Sequence, residues 1–120
     1  MSEGQKQCVE CDAPFEGTYD IHANDFCPKC RDSHREVFDE IMTERAKQDR
    51  EWGGASHDDE HNSHDWIAYM AKQVGKAGPP WRPAIFRAAM VKAAAIAVAA
   101  IRWYDRAEKA DADFLRGIDD

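Results

Sequence analysis

The 120-residue sequence lacks the signatures by which several large enzyme classes are recognised. It contains no G-x-x-x-x-G-K-[ST], G-x-G-x-x-G, H-E-x-x-H or G-x-S-x-G string, so P-loop, Rossmann, zincin and hydrolase-elbow chemistry have no support. Positive charge is scarce: 16 Lys and Arg stand against 23 Asp and Glu, a net charge of −7. A protein that coats phosphates needs a basic surface, so nucleic acid is a disfavoured partner. Long apolar runs are missing as well. The longest such stretch, residues 93–101, lies between Lys92 and Arg102, whereas a membrane span needs about 20 residues. No membrane segment is expected. The opening MSEGQKQCVE has no apolar stretch of the kind a secretory signal needs, which predicts a cytoplasmic location. Cysteine is absent beyond residue 30.

The composition that remains, 43% apolar and 32% charged, is that of a globular chain and not of a collagenous or disordered one. The four cysteines are Cys8, Cys11, Cys27 and Cys30, two C-x-x-C pairs separated by fifteen residues. Each two-residue spacer lets both sulfurs of a knuckle face one ion, and two knuckles complete a tetrahedral shell of four thiolates. Such a closed shell is structural, because no coordination position is left for a substrate water. A pair of disulfides is the alternative, and a reducing cytosol opposes it. The surrounding segment is too short to fold on burial of Phe15, Tyr19 and Phe26 alone, so zinc would supply the folding energy. His22 and His34 are spare ligands that four thiolates make unnecessary. The expected module, residues 1–32, is a zinc ribbon or treble clef: knuckle, short hairpin, then C-P-K-C-R leading into a helix.

Residues 33–110 are expected to form a small bundle of about three helices, so the fold class is mainly α. The first helix is predicted over 33–52, with Val37, Phe38, Ile41 and Met42 at three- and four-residue spacing and Gly53-Gly54 as its stop. A polar loop follows over 53–64. A second helix is expected over 65–76, capped by Ser63 and turning Trp66, Tyr69, Met70 and Val74 inward. Gly78-Pro79-Pro80 ends it. The third helix opens at Pro83 and runs to about residue 109. Its alanine-rich middle is apolar nearly all round, a character that calls for burial on several sides and suggests a homodimer. Residues 111–120 are expected to be a loose tail.

Candidate chemistry concentrates between Glu40 and Asp65. Glu40 and Glu44 are four apart and share a helix face, and Glu44 lies on the stripe Val37, Ile41, Glu44, Gln48. A carboxylate on an apolar stripe must meet a cation or a donor; either an arginine (Arg45, Arg102 or Arg106) or a metal would serve. The loop adds His57, Asp58, Asp59, Glu60 and His61, with Asp65 close behind. Oxygen ligands suit Mg²⁺, and Mn²⁺ tolerates imidazole too. The plainer reading is a hydrated acidic loop. On the third helix Lys92 interrupts the alanines and either snorkels to the surface or meets an anion.

The strings ERAKQDREWGGASHDDEH (residues 44–61), DWIAY (65–69) and VKAAAIAVAAIRWYDR (91–106) resemble a group of small phage-encoded helical proteins with an ERxxQ…HDDxH…VKxAA…DR layout. More distantly the layout resembles MazG-like all-α nucleotide pyrophosphohydrolases, which hold Mg²⁺ or Mn²⁺ on helix-borne carboxylates and split a nucleoside triphosphate into monophosphate and pyrophosphate. In this chain the first acidic pair is E-xxx-E and not ExxE, and the late pair is Glu108–Asp111. The resemblance implies Glu40, Glu44, Asp58 and Asp59 as catalytic carboxylates, with Glu44, Asp58, Asp59, His61 and Asp65 around the ion. It implies Lys92 and Arg45, with Arg102, on the phosphates, and Trp66, Tyr69 or Trp81 against the base. A second class of function stands beside it: a zinc-stabilised adaptor or inhibitor that binds a host protein in the host cytoplasm.

Overall fold

In a computed structural model, which describes residues 5–17 and 25–118 with side chains as far as Asp111, the chain is mainly helical with a four-cysteine cluster near its N-terminus. It divides into two units, Met1–Asp39 and Glu40–Asp120. The boundary falls inside a helix and not at the expected residue 32.

The first unit is built on strands β1 (Gln5–Gln7) and β2 (Pro14–Glu16), paired antiparallel with Lys6 opposite Phe15. Their turn is the first cysteine knuckle. Cys8 donates its N–H to the Ala13 carbonyl and accepts from the Asp12 N–H, both at 3.0 Å, and Asp12 takes a left-handed φ of 65° to close the loop. The second knuckle leads into helix α1 (Pro28–Trp52), whose first intrahelical bond runs from the Arg31 N–H to the Cys27 carbonyl at 2.9 Å. The helix therefore begins five residues earlier than expected. Proline at the first helical position needs no hydrogen-bond partner and already holds a helical φ. Cys8, Phe15, Cys27 and Cys30 form the small core, with Phe26 against it. Tyr19 and His22 lie outside the described residues.

The second unit holds the remainder of α1 and three further helices. Gly53, at φ 101°, ends α1 in the left-handed conformation and returns its N–H to the Asp49 carbonyl at 2.9 Å. The segment expected as a loop contains a five-residue helix α2 (Gly54–Asp58). Helix α3 (Ser63–Gly75) is capped by Asn62, not Ser63: the Asn62 side chain accepts from the Asp65 N–H and Asp65 accepts from the Asn62 N–H, each at 3.0 Å. This reciprocal box satisfies two amides that an α-helix start leaves unpaired.

Helix α4 (Pro83–Ile118) opens where expected and continues nine residues past the expected end, through the segment read as a loose tail. By length and composition its Pro83–Asp111 portion is apolar enough to cross a membrane. Within this chain, however, its inner face (Ala89, Ala93, Ile96, Ala99) is buried. Trp66 of α3 packs with Ile96 and Ala99 of α4, flanked by Met70, Ala100 and Trp103. Small alanines on α4 let the larger α3 side chains approach its backbone closely. Of the residues expected to point inward from α3, Trp66 and Met70 do so, whereas Tyr69 and Val74 are exposed. Val37, Phe38 and Met42 on α1 are exposed too. The covered positions of α1 in the second unit are Ile41, Glu44, Arg45, Gln48 and Asp49, a helical stripe made mostly of polar side chains.

Candidate functional site

The four cysteine sulfurs lie within 4.8 Å of one another, and Cys11 Sγ is 3.7 Å from Cys27 Sγ. A tetrahedral ion with ~2.3 Å metal–sulfur bonds separates its ligands by about 3.8 Å, so the sulfurs are placed to hold a metal ion and their spacing suits zinc. Burial pushes the Cys8 thiol up, but backbone amides at Cys27, Cys11 and Glu10 outweigh it and bring it down to about 6. The Glu10 carboxylate beside Cys30, followed by burial and the neighbouring sulfurs, pushes that thiol far up. Cys11 also rises, because the Cys27 and Cys8 sulfurs overcome the backbone at Ala13. Four thiolates this close require a cation among them. His34 is not a ligand: it sits edge-on to Phe26 with ring centroids 4.8 Å apart, and its Nε2 lies 3.5 Å from the Glu10 carboxylate.

The second unit disposes its acidic residues differently from the expected metal-binding array. Glu40 pairs with Arg87, whose guanidinium holds the Glu40 carboxyl below its ordinary range. Glu44 accepts from Gln48 Nε2 at 3.4 Å. Asp59 is bound by Arg106 through Nη2 at 2.8 Å and Nε at 3.2 Å. The arginine partner expected for Glu44 is thus replaced by Gln48, and arginines take Glu40 and Asp59 instead. In the late acidic pair, Glu108 accepts from the Tyr104 hydroxyl and raises its pKa. Among the described residues, no group of three or more His, Cys, Asp or Glu other than the cysteines converges on one point. The carboxylates present do not fit a shared Mg²⁺ or Mn²⁺.

What converges instead is a pair of adjoining cavities that share Asp58. The first, about 260 Å³, is lined by Trp52, Trp66 and Tyr69 together with His57, Asp58 and His61. The second, about 140 Å³, is lined by Arg45, Arg102 and Arg106 with Asp49 and Asp58. Asp58 is only 7% exposed. It is held there by the short α2 helix, which packs on α4.

Among the described residues of this unit, two more polar side chains are buried, Arg45 at 8% and Gln48 at 3%. Arg45 reaches Asp49 in a forked contact at 3.0 and 3.2 Å. Gln48 donates to Glu44 and to the Lys92 carbonyl, the latter at 3.5 Å, while its Oε1 stays without a partner. Burying an unpaired carbonyl costs about 1–3 kcal/mol, an expense that functional sites often carry. Lys92 lies away from Asp58, in a shallow open groove with Glu40, Glu44 and Arg87.

His57 and His61 form the remaining cluster. Their Nε2 atoms are 3.2 Å apart, and His61 Nδ1 is 3.5 Å from Asp65 Oδ2. The aromatic rings of Trp66 and Tyr69 pack edge-on to His61 at centroid distances of 5.5 and 5.3 Å.

Thus Arg45, Asp58 and His61 lie along these cavities, as do Trp66 and Tyr69, whereas Glu40, Glu44, Asp59 and Lys92 do not line them. Trp52 is the lining residue that sequence reasoning passed over as a site residue; His57 was named among the candidate ligands and Arg106 as a partner for a carboxylate. No family profile matches the chain, and neither a characterised protein nor a solved structure is similar to it.

Proposed function

We propose that the second unit binds a nucleoside triphosphate and hydrolyses it to monophosphate and pyrophosphate, and that the first unit is a structural zinc module. The observation that carries the reading is the position of Asp58, buried between an aromatic cavity and an arginine-lined one. Trp52, Trp66 and Tyr69 offer ring faces and edges against a base. Guanidinium groups form forked, charge-assisted bonds to phosphate oxygens, which assigns the phosphates to Arg45, Arg102 and Arg106. In the step itself, water adds to the α-phosphorus as the bond to the bridging oxygen breaks, and pyrophosphate leaves with that oxygen. Asp58 accepts the proton of the attacking water, and the arginines offset charge on the departing pyrophosphate.

The test is release of pyrophosphate from the four ribo- and four deoxyribonucleoside triphosphates, with Mg²⁺ or Mn²⁺ supplied. Asp58→Asn should lower release by at least about 10²-fold, the usual contribution of a proton-transfer group. Wild-type release no faster than that of Asp58→Asn refutes the reading.

A second reading, the host-protein adaptor, is favoured by Ile67 and Val74. They lie seven residues apart on one face of α3 at 65% and 48% exposure, an unpartnered apolar row of the kind that docks on another chain. Ile101 and Tyr104, exposed on α4, support self-association as a homodimer in the same way.

A further inference from the structure

We infer that His57 and His61 form a second metal centre, selective for a borderline transition ion such as Zn²⁺ or Co²⁺, with Asp65 as the residue that orients His61. It keeps His61 of the hard-cation site implied by the resemblance but rests on imidazole donors, and it lies in the cavity that the nucleotide reading gives to the base.

The argument begins with distance. Metal–imidazole bonds of about 2.0–2.1 Å place an ion equidistant from two Nε2 atoms 3.2 Å apart at an N–metal–N angle of about 100°. That value lies between octahedral and tetrahedral ligation, so both rings can bind without moving apart. The tautomer follows from the other side of the ring. Asp65 Oδ2 faces His61 Nδ1 at 3.5 Å, which favours a proton on Nδ1 and leaves the Nε2 lone pair toward His57. A carboxylate behind a histidine in this way fixes the orientation of a metal-bound imidazole and raises its basicity. Asp65 is itself held in place by the Asn62 N–H at 3.0 Å, so the orienting group is anchored to the start of α3.

The surroundings complete the case. Among the described residues no third His, Cys, Asp or Glu converges with the two imidazoles, so the remaining positions fall to water, for which the cavity leaves space. His61 is walled by Trp66 and Tyr69, a dry flank that strengthens ligation. Two imidazoles favour Zn²⁺ and Co²⁺ over Mg²⁺, which prefers oxygen ligands throughout.

The experiment is a titration of full-length protein, with its cysteine site already filled by one equivalent of zinc, using Co²⁺, Zn²⁺ and Mg²⁺ followed by calorimetry. A second equivalent of Co²⁺ or Zn²⁺ should bind and Mg²⁺ should not. Asp65→Asn should weaken that second equivalent by about 10–100-fold, and the double variant H57A/H61A should abolish it while the first zinc is retained. On unaltered protein, paramagnetic Co²⁺ should selectively shift and broaden the His57 and His61 ring resonances, a readout independent of whether the variants fold. Binding of one equivalent only, Mg²⁺ competing on equal terms, or a second equivalent that leaves those resonances untouched overturns the proposal.

Discussion

Removing metal from the cysteine cluster should unfold the first unit and leave the second intact, and the structure gives the scale of the effect. The first unit's buried core is Cys8, Phe15, Cys27 and Cys30, with Phe26 against it. Full burial of one such side chain contributes about 1.5–3 kcal/mol, so this core supplies on the order of 10 kcal/mol. Ordering each residue costs roughly 1.5 kcal/mol, and even the thirteen described residues 5–17 exceed the gain. A four-thiolate zinc site adds about 10–16 kcal/mol, a contribution at least as large as that of the whole core. The second unit, by contrast, closes its own core on Trp66, Ile96 and Ala99. Trp52, Trp66, Trp81 and Trp103 all fall within it and none falls within the first unit. Tryptophan fluorescence therefore reports one unit, while amide exchange at residues 5–17 reports the other. Chelation, or Cys27→Ser, should abolish protection of those amides and leave the tryptophan emission unchanged. Protected amides after complete metal removal would refute the reasoning, and so would a tryptophan shift in parallel with their loss.

Three further outcomes follow from packing and charge. Ile96→Ala, at a position 2% exposed, should cost about 2–5 kcal/mol in urea denaturation followed by tryptophan emission. Asn62→Ala removes one half of the α3 capping box and should cost about 1 kcal/mol in the same assay. Because Arg87 depresses the Glu40 pKa, that pair's stabilisation is present above the ordinary glutamate range and lost as pH falls through the depressed value. Glu40→Gln should accordingly lower the melting temperature at neutral pH, less so in high salt, and match wild type in strong acid.

The cysteine centre was legible because its geometry is local: two residues between paired thiolates fix where both sulfurs point, whatever the rest of the chain does. Helix starts and stops at Pro83 and Gly53 were legible for the same reason, since each residue acts on its own backbone. The bundle interior was not. Val37, Phe38 and Met42 have the spacing of a buried face, yet the covered stripe is Ile41, Glu44, Arg45, Gln48 and Asp49. Hydrophobic periodicity identifies apolar interiors, and here α1 faces a polar one. Helix α2 has only five residues, too few to be stable without packing, so its sequence carries no helical signal. That missed helix is what buries Asp58 and brings His57 to His61. The acidic string itself was noticed, but arginines 47 residues away in sequence (Arg87 for Glu40, Arg106 for Asp59) decide which carboxylates remain near the cavities.

The central claim is that the cavities meeting at Asp58 receive the base and phosphates of one nucleotide. Calorimetry with non-hydrolysable α,β-imido nucleoside triphosphates tests this most directly. One should bind in a one-to-one complex, at least about tenfold more weakly to Arg102→Ala, since a bond to a charged group contributes roughly 1.5–3 kcal/mol. Asp58→Asn, which removes a negative charge beside the phosphates, should bind at least as tightly as wild type. Absence of binding by every analogue, or equal affinity for wild type and Arg102→Ala, would contradict the account.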